Sequence, residues 1–248
     1  MAGLDWLTAR PVAHRGLHDS SRGVIENTTS AFAAAIAGNY AIECDLRLSA
    51  DGEAMVFHDR TLERLTAANG DVAAKTASEL SGVPFRHSPD RMLTLAGLCE
   101  FVGGRVPLIL ELKSEFDGDP RLPRRVAEIL RSYAGPVAAM SFDPDQIVAL
   151  VALAPGLPRG IVAERHYRDA EWAELQPGQR RTLAHLLHAH RTRPHFLAYA
   201  VNDLPAAAPL VARWVFGLPL LTWTVRTAAQ RACAARWADQ MIFEGFRP

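Results

Sequence analysis

The chain has 248 residues, 49% of them hydrophobic and 22% charged, which is typical of one large globular domain and excludes a disordered or fibrous protein. Its 27 Lys and Arg residues balance its 27 Asp and Glu residues, so it lacks the basic excess of proteins that bind nucleic acid or anionic membranes. The three cysteines, Cys44, Cys99 and Cys233, form no C-x-x-C motif, which favours a reducing compartment over a disulfide framework.

The first residues, MAGLDWLTARP, lack the basic start and apolar core of a signal peptide. The longest apolar stretch, 204–221, contains three prolines and Arg213, which argues against a transmembrane segment. We therefore expect a cytoplasmic protein whose partner is a small molecule rather than nucleic acid or a membrane. The sequence leaves the oligomeric state open, a homo-oligomer included.

Short apolar or alternating runs that predict strands recur along the whole chain. They lie at 11–14, 41–49, 54–58, 107–114, 136–142, 159–164, 195–201, 219–225 and 240–245. Helical patterns separate most of them, at 29–37, 123–132, 145–154, 175–190, 206–216 and 228–238. This alternation predicts an α/β protein that is a closed (β/α)8 TIM barrel, with residues 1–248 forming a single domain. No glycine-rich nucleotide loop follows the first strand.

Nine predicted strands are one too many for an eight-stranded barrel. Because Asp51-Gly52 is a strong hairpin signal, we expect the run at 54–58 to return antiparallel to the run at 41–49. A two-residue turn would place Asp45 opposite His58 on the same face, whereas a three-residue loop would change that register. The irregular stretch at about 60–95 is predicted to be a short insertion over the C-terminal mouth of the barrel.

Carboxylates occupy the polar faces of two predicted strands. In the run at 41–49, apolar residues would face the helices of a barrel, which leaves Glu43 and Asp45 pointing toward the barrel axis. A half-exposed antiparallel strand would show the same alternation. The strand that ends near Lys113 repeats the pattern with Glu111.

The C-terminal ends of barrel strands, where active sites lie, bring these carboxylates together with basic groups. Three inward carboxylates need a cation, because like charges in a partly buried site raise each other's pKa. Oxygen ligands suit Mg²⁺ or Ca²⁺ rather than zinc. His14 and His58 could act as acid and base, and Arg15 and Lys113 could hold an anion. Such a set of groups suits a phosphate ester.

Four blocks in this order, VAHRG, ENTTSAF, IECDLRLSADGEAMVFHD and VPLILELKS, resemble the glycerophosphodiester phosphodiesterase family, whose barrel is of the phosphatidylinositol-phospholipase-C-like type. The resemblance continues more loosely through TLERLTAANGDVAAKTASEL, MSFDPDQ and LLTWTV. It implies a hydrolase of lipid or glycerol metabolism that splits glycerophosphodiesters into glycerol 3-phosphate and an alcohol. It also implies one divalent cation, Mg²⁺ or Ca²⁺, as cofactor.

The resemblance assigns roles to eight residues. They are the metal ligands Glu43, Asp45 and Glu111, the catalytic pair His14 and His58, and the substrate contacts Arg15, Lys113 and Trp223. We assign His58 as the acid and His14 as the base, an assignment that the sequence does not decide. The sequence also leaves open whether a glycerol hydroxyl or water attacks the phosphorus.

Three positions depart from the family's usual pattern. Ile25 stands where Pro is usual, Arg226 stands where Asn often follows Trp-Thr-Val, and the last strand reads MIFEGFRP where Thr-Asp is common. These departures bear on substrate choice. Nearby, Glu26, Asn27 and Thr28 either start the first helix after the first strand, which we expect because Asn and Thr cap helices well, or take a direct part in the site. We expect Asp59 to be a supporting residue rather than a ligand.

Two other functions remain open. One is a related barrel enzyme that acts on lysophospholipids or other phosphodiesters. The other is a non-catalytic barrel that binds phosphorylated ligands, although binding alone would not need two histidines.

Overall fold

The computed structural model describes residues 3–169 and 172–248. Within these ranges the strands are β1 (Val12–Ala13), β2 (Ala41–Leu48), β3 (Ala54–Val56), β4 (Leu108–Leu112), β5 (Val137–Ser141), β6 (Arg159–Ala163), β7 (Phe196–Ala200), β8 (Leu220–Val225) and β9 (Gln240–Phe243). All strands except β3 pair in parallel, and β1 pairs with both β2 and β9, which closes an eight-stranded barrel. The predicted (β/α)8 fold is confirmed, and each of the nine predicted runs contains a strand.

The helices in the described ranges are α1 (Asp5–Thr8), α2 (Thr29–Ala37), α3 (Ala77–Gly82), α4 (Leu95–Val102), α5 (Arg121–Leu130), α6 (Pro144–Leu153), α7 (Pro177–Ala184), α8 (Ala189–Thr192), α9 (Ala207–Trp214) and α10 (Ala228–Trp237). The prediction of one helix over 175–190 was wrong, because Leu186 has a φ of +56° and interrupts the helix between α7 and α8. Among these helices, none is long and apolar enough to cross a membrane.

The interior of the barrel has an apolar floor beneath a polar mouth. The floor is a cluster of buried side chains that includes Val12, Ile109, Met140, Phe196 and Leu221. On β2, the apolar side chains of alternate residues instead join the cluster between the barrel and its helices. The acidic side chains between them are 1% exposed, so the alternative of a half-exposed strand is excluded.

The hairpin between β2 and β3 has a register one residue away from the prediction. Leu46 pairs with Val56, and the turn holds three residues, 50–52, with Gly52 at a φ of +85°. A glycine in the left-handed conformation is typical of a three-residue hairpin loop. The amide of Phe57, not of His58, therefore donates to the carbonyl of Asp45, at 3.0 Å.

His58 still reaches the barrel mouth, because it lies beyond the last residue of β3. The guanidinium of Arg47 on β2 donates to its carbonyl oxygen at 2.6 Å. The chain then enters the insertion, whose apolar residues form a separate cluster with Phe57, including Leu62, Leu80 and Phe85. Helix α3 in this insertion was not predicted, although the capping box of Thr76 and Glu79 at its start could be read from the sequence.

Candidate active site

Three carboxylates from two adjacent strands meet at the barrel mouth. Glu43 and Asp45 lie on β2, and Glu111 lies beside Asp45 on β4. One oxygen of each lies within 4.8 Å of the others, and the residues are 1%, 1% and 7% exposed. Glu43 Oε1 has no hydrogen-bond partner among the residues that the structure describes. A buried, unpartnered carboxylate oxygen is costly, so this triad fits a hard divalent cation bound by oxygen ligands.

Neighbouring charges act in opposite directions on the two carboxyl groups of β2. Burial, and then the charges of Asp45 and Glu111, raise the pKa of Glu43 well above its usual range. Burial would also raise the pKa of Asp45, but the charges of Lys113 and His58 hold it well below its usual range. Lys113 Nζ lies 2.5 Å from Glu111 Oε1 and 3.1 Å from Asp45 Oδ1, and thus balances part of the negative charge.

Arg15 occupies a tight turn at the end of β1. Its backbone N–H donates to Glu43 Oε2 at 3.0 Å, its Nε lies 3.2 Å from Asp45 Oδ2, and a terminal nitrogen donates to Glu26 Oε1 at 2.7 Å. The next residue, Gly16, has a φ of +78°, and a Cβ there would lie 2.9 Å from Ala31. This glycine therefore permits the turn that brings the Arg15 guanidinium beside the triad.

His14 is 9% exposed and is held from the opposite side by a residue that sequence reasoning missed. Its Nδ1 lies 2.5 Å from Glu244 Oε2, and its Nε2 lies 3.9 Å from Glu43 Oε2. Burial lowers the pKa of His14, although the hydrogen bond to Glu244 works against this. The departure of the last strand from the family's pattern was the signal that could have identified Glu244.

His58 is bound by the residue that follows it. His58 Nδ1 lies 2.8 Å from Asp59 Oδ1, and Arg64 of the insertion donates from Nε to Asp59 Oδ2 at 2.5 Å. Arg64 also donates to Glu26 Oε1 at 2.7 Å, the same oxygen that Arg15 contacts. As expected, Asp59 supports His58 rather than joining the triad.

Asn27 lies in the site, the alternative that the sequence leaves open, rather than at the start of α2. It adopts a φ of +58°, is 1% exposed, and its side-chain amide donates to Asp45 Oδ2 at 2.8 Å. Asn tolerates the left-handed conformation better than most residues, which lets it turn toward the mouth. Thr28 is the N-cap residue of α2, as expected, and its carbonyl accepts from the Phe32 amide at 3.0 Å, whereas its hydroxyl donates to the carbonyl of Ile25. Asn27 thus orients a carboxylate of the triad.

Two adjoining cavities of about 460 and 510 Å³ surround the triad, and His58, Glu111, Lys113 and Phe142 line both. The smaller one also contains His14, Arg15 and Glu43, with Trp223 in its wall. The Trp223 ring meets Phe142 edge to face, with centroids 5.4 Å apart. The structure therefore brings all eight predicted site residues together at one mouth, beside two adjoining cavities.

Comparison with known proteins agrees with this geometry. The chain matches the model of the glycerophosphoryl diester phosphodiesterase family over residues 14–246. It is 30% identical over 161 residues to the glycerophosphodiester phosphodiesterase of Caldanaerobacter subterraneus subsp. tengcongensis, an alignment that covers 61% of this chain and 65% of that protein. It is 27% identical over 136 residues to human lysophospholipase D GDPD1, covering 50% of this chain and 42% of that protein.

The chain thus spans less than two thirds of the length of either relative. Among solved structures, the phosphodiesterase of Oleispira antarctica in complex with its product sn-glycerol-3-phosphate has a TM-score of 0.78. That likeness covers 96% of this chain and 94% of the other, at 20% sequence identity, and supports the barrel fold. By the family match over nearly its whole length, the chain belongs to the glycerophosphoryl diester phosphodiesterase family.

Proposed function

We propose that this chain hydrolyses glycerophosphodiesters to glycerol 3-phosphate and an alcohol. The observation that carries the proposal is the buried triad of Glu43, Asp45 and Glu111, with an unpartnered oxygen, set between two histidines and two cationic side chains. The Oleispira protein of the same fold was solved with sn-glycerol-3-phosphate, and we infer the same product here.

Glu43, Asp45 and Glu111 would hold one divalent cation, Mg²⁺ or Ca²⁺, which when bound neutralises charge on the non-bridging oxygens of the phosphate. The protein's own cations complement the substrate's negative charge. Arg15 and Lys113 approach the two oxygens of Asp45 from either side, so both stand at the place where an anionic phosphate would enter. We infer that they bind the phosphate, with the Arg15 guanidinium fixing its orientation.

The histidines are arranged for acid and base catalysis. In each ring Nδ1 is bound to a carboxylate, which leaves Nε2 for the substrate. His14 would take the proton of the attacking hydroxyl as its oxygen bonds to phosphorus. As the bond from phosphorus to the leaving oxygen breaks, His58 would give that oxygen a proton. The attacking group is either the neighbouring glycerol hydroxyl, which forms a cyclic phosphate that water then opens, or water itself.

The two cavities suggest where the substrate's arms lie. We infer that Trp223 forms a wall of the glycerol site in the smaller cavity, and that the larger one takes the alcohol. Phe116, Phe142 and Trp172 line the larger cavity; in the alternative substrate, a lysophospholipid, the acylated glycerol arm would lie against these aromatic side chains and the alcohol would lie in the smaller cavity. The similarity to a lysophospholipase D agrees with that alternative.

The test is release of glycerol 3-phosphate from glycerophosphocholine and glycerophosphoethanolamine with Mg²⁺, with Ca²⁺ and with EDTA. Wild type is compared with His58→Ala and with His185→Ala, a control at an exposed histidine outside both cavities. We expect cation-dependent release that His58→Ala lowers by about 10²–10⁴-fold and His185→Ala leaves unchanged.

No release from folded protein with any ion would contradict glycerophosphodiester hydrolysis. Release of choline from lysophosphatidylcholine alone would then support the alternative substrate. Retention of glycerol 3-phosphate binding without turnover of either substrate class would identify a binding protein.

A further inference from the structure

Two of the positions that depart from the family's usual pattern contact each other beside His14. Arg226 follows β8 and Glu244 follows β9, and the amide of Glu244 donates to the carbonyl of Val225 at 3.1 Å, which holds the two strand ends together. Arg226 Nε lies 2.5 Å from Glu244 Oε1, while the other oxygen of Glu244 lies 2.5 Å from His14 Nδ1. Arg226, Glu244 and His14 thus contact one another in series, and His14 Nε2 lies 3.9 Å from Glu43 Oε2 of the carboxylate triad.

We propose that Glu244 is a positioning residue for His14, and that Arg226 holds Glu244 in place. Glu244 accepts the Nδ1–H of His14, which fixes the tautomer whose unprotonated Nε2 is directed at the carboxylate triad. The hydrogen bond at one ring nitrogen decides which nitrogen carries the proton, so this contact prepares His14 as a base. This inference rests on the proposed function for the catalytic meaning of the tautomer, but not for the tautomer itself.

The surroundings of Glu244 keep it in the required ionised form. Its side chain is 19% exposed, and His18 Nε2 lies 3.6 Å from the same oxygen that contacts His14. Burial would raise its pKa, but His14, His18 and Arg226 hold the pKa well below its usual range.

Arg226 is itself fixed by the start of α10. Its backbone N–H donates to the side-chain oxygen of Gln230, which also accepts from the amide of Thr227 in the capping box of that helix. An exposed ion pair is usually worth little, but this one acts on a residue in contact with a buried histidine. The fold therefore sets the backbone position of Arg226, while its side chain is 53% exposed.

The direct test is the ¹⁵N NMR spectrum of histidine-labelled protein without added cation, at a pH where His14 is neutral. We expect the Nδ1–H tautomer in wild type and in Glu244→Gln, whose amide oxygen can still accept the hydrogen bond. Glu244→Ala should shift His14 toward the Nε2–H tautomer. A wild-type ring in the Nε2–H form, or an unchanged tautomer in folded Glu244→Ala, would overturn the inference.

Kinetics provide the second readout. We expect Glu244→Ala to lower kcat about 10–100-fold with little change in KM, Glu244→Gln to recover much of that loss, and Arg226→Met to have a smaller effect. Arg121→Met, which breaks an exposed ion pair away from both cavities, is the matched control.

Equal losses in Glu244→Gln and Glu244→Ala, or a change confined to KM, would contradict positioning. If Glu244→Ala does not fold, the wild-type spectrum still decides, because an Nε2–H ring overturns the inference. A wild-type protein that shows the expected tautomer but turns over no substrate would refute the proposed function and leave the positioning inference standing.

Discussion

His14 and His58 each direct Nδ1 to a carboxylate that an arginine holds in turn, yet different parts of the molecule supply the partners. The partners of His14 come from the far end of the chain, Glu244 after β9 and Arg226 after β8. They lie next to His14 because the last strand pairs with the first strand and closes the barrel.

The partners of His58 are local. Asp59 is the next residue and Arg64 follows five positions later, in the insertion. Arg64 also contacts Glu26, which links the support of His58 to the support of Arg15. The contrast shows that the same arrangement of side chains can be built by barrel closure or by a short local segment, and that the two should fail under different perturbations.

The largest expected effect separates the roles of the two histidines. Toward a glycerophosphodiester of 4-nitrophenol, whose leaving group needs no proton, His58→Ala should lose far less activity than toward glycerophosphocholine. His14→Ala should lose about 10²–10⁴-fold with both, because a base is needed whatever the leaving group. Steady-state rates for the two substrates give the result, and the opposite pattern would exchange the acid and base assignments.

A smaller effect is expected from substitutions in the two turns near the histidines, at Gly16 after His14 and at Gly52 in the hairpin before His58. Gly16→Ala should cost about 2–4 kcal/mol of unfolding free energy, because it combines a positive φ with a Cβ that clashes with Ala31. Gly52 in the hairpin has a φ of +85°, but a Cβ there would meet open space. We therefore expect Gly52→Ala to lower the unfolding free energy by about 1–2 kcal/mol. Urea denaturation measures both, and equal losses would show that the close approach at Gly16 carries no energy.

The smallest effect concerns pH. The pKa of Glu244 is held well below its usual range by its cationic neighbours, so its ionised form stabilises the fold above the unfolded pKa of about 4.3. That stabilisation is lost as pH falls through the folded value. The stability difference between wild type and Glu244→Gln, about 1–2 kcal/mol at pH 6, should therefore shrink toward pH 3.

Asp59→Asn should show the same sign, because burial would raise the pKa of Asp59 while His58 and Arg64 hold it well below its usual range. Glu100→Gln at an exposed helical position is the control. A difference for Glu244→Gln that grows with acid would contradict the argument.

The sequence predicts features that depend on neighbouring residues, and it does not predict contacts between residues far apart in the chain. The barrel and the inward carboxylates followed from alternation within single strands, and the pairing of His58 with Asp59 joins neighbours. Glu244 could not be paired with His14, since nothing local relates residues 230 positions apart. The sequence could not decide between the two roles of Asn27, because Asn is favoured both at a helix start and at a turn into the site.

The hairpin register failed for a physical reason as well. Asp51-Gly52 satisfies both a two-residue turn and the end of a three-residue loop, because both place glycine at a positive φ. In the three-residue loop the Ser49 hydroxyl accepts from the Glu53 amide at 2.8 Å, a contact that spacing alone does not reveal.

The insertion has its own apolar cluster and meets the catalytic mouth through Arg64. The same cluster includes Met55 and Phe57, and the Val56 amide donates to the carbonyl of Leu93, so the insertion is held to the barrel by shared apolar packing as well as by polar contacts. A change of alcohol specificity would therefore be sought in the opposite wall of the larger cavity, at Phe116, Phe142 and Trp172, while the insertion contributes Arg60 to that cavity and keeps Arg64 within reach of Asp59 and Glu26.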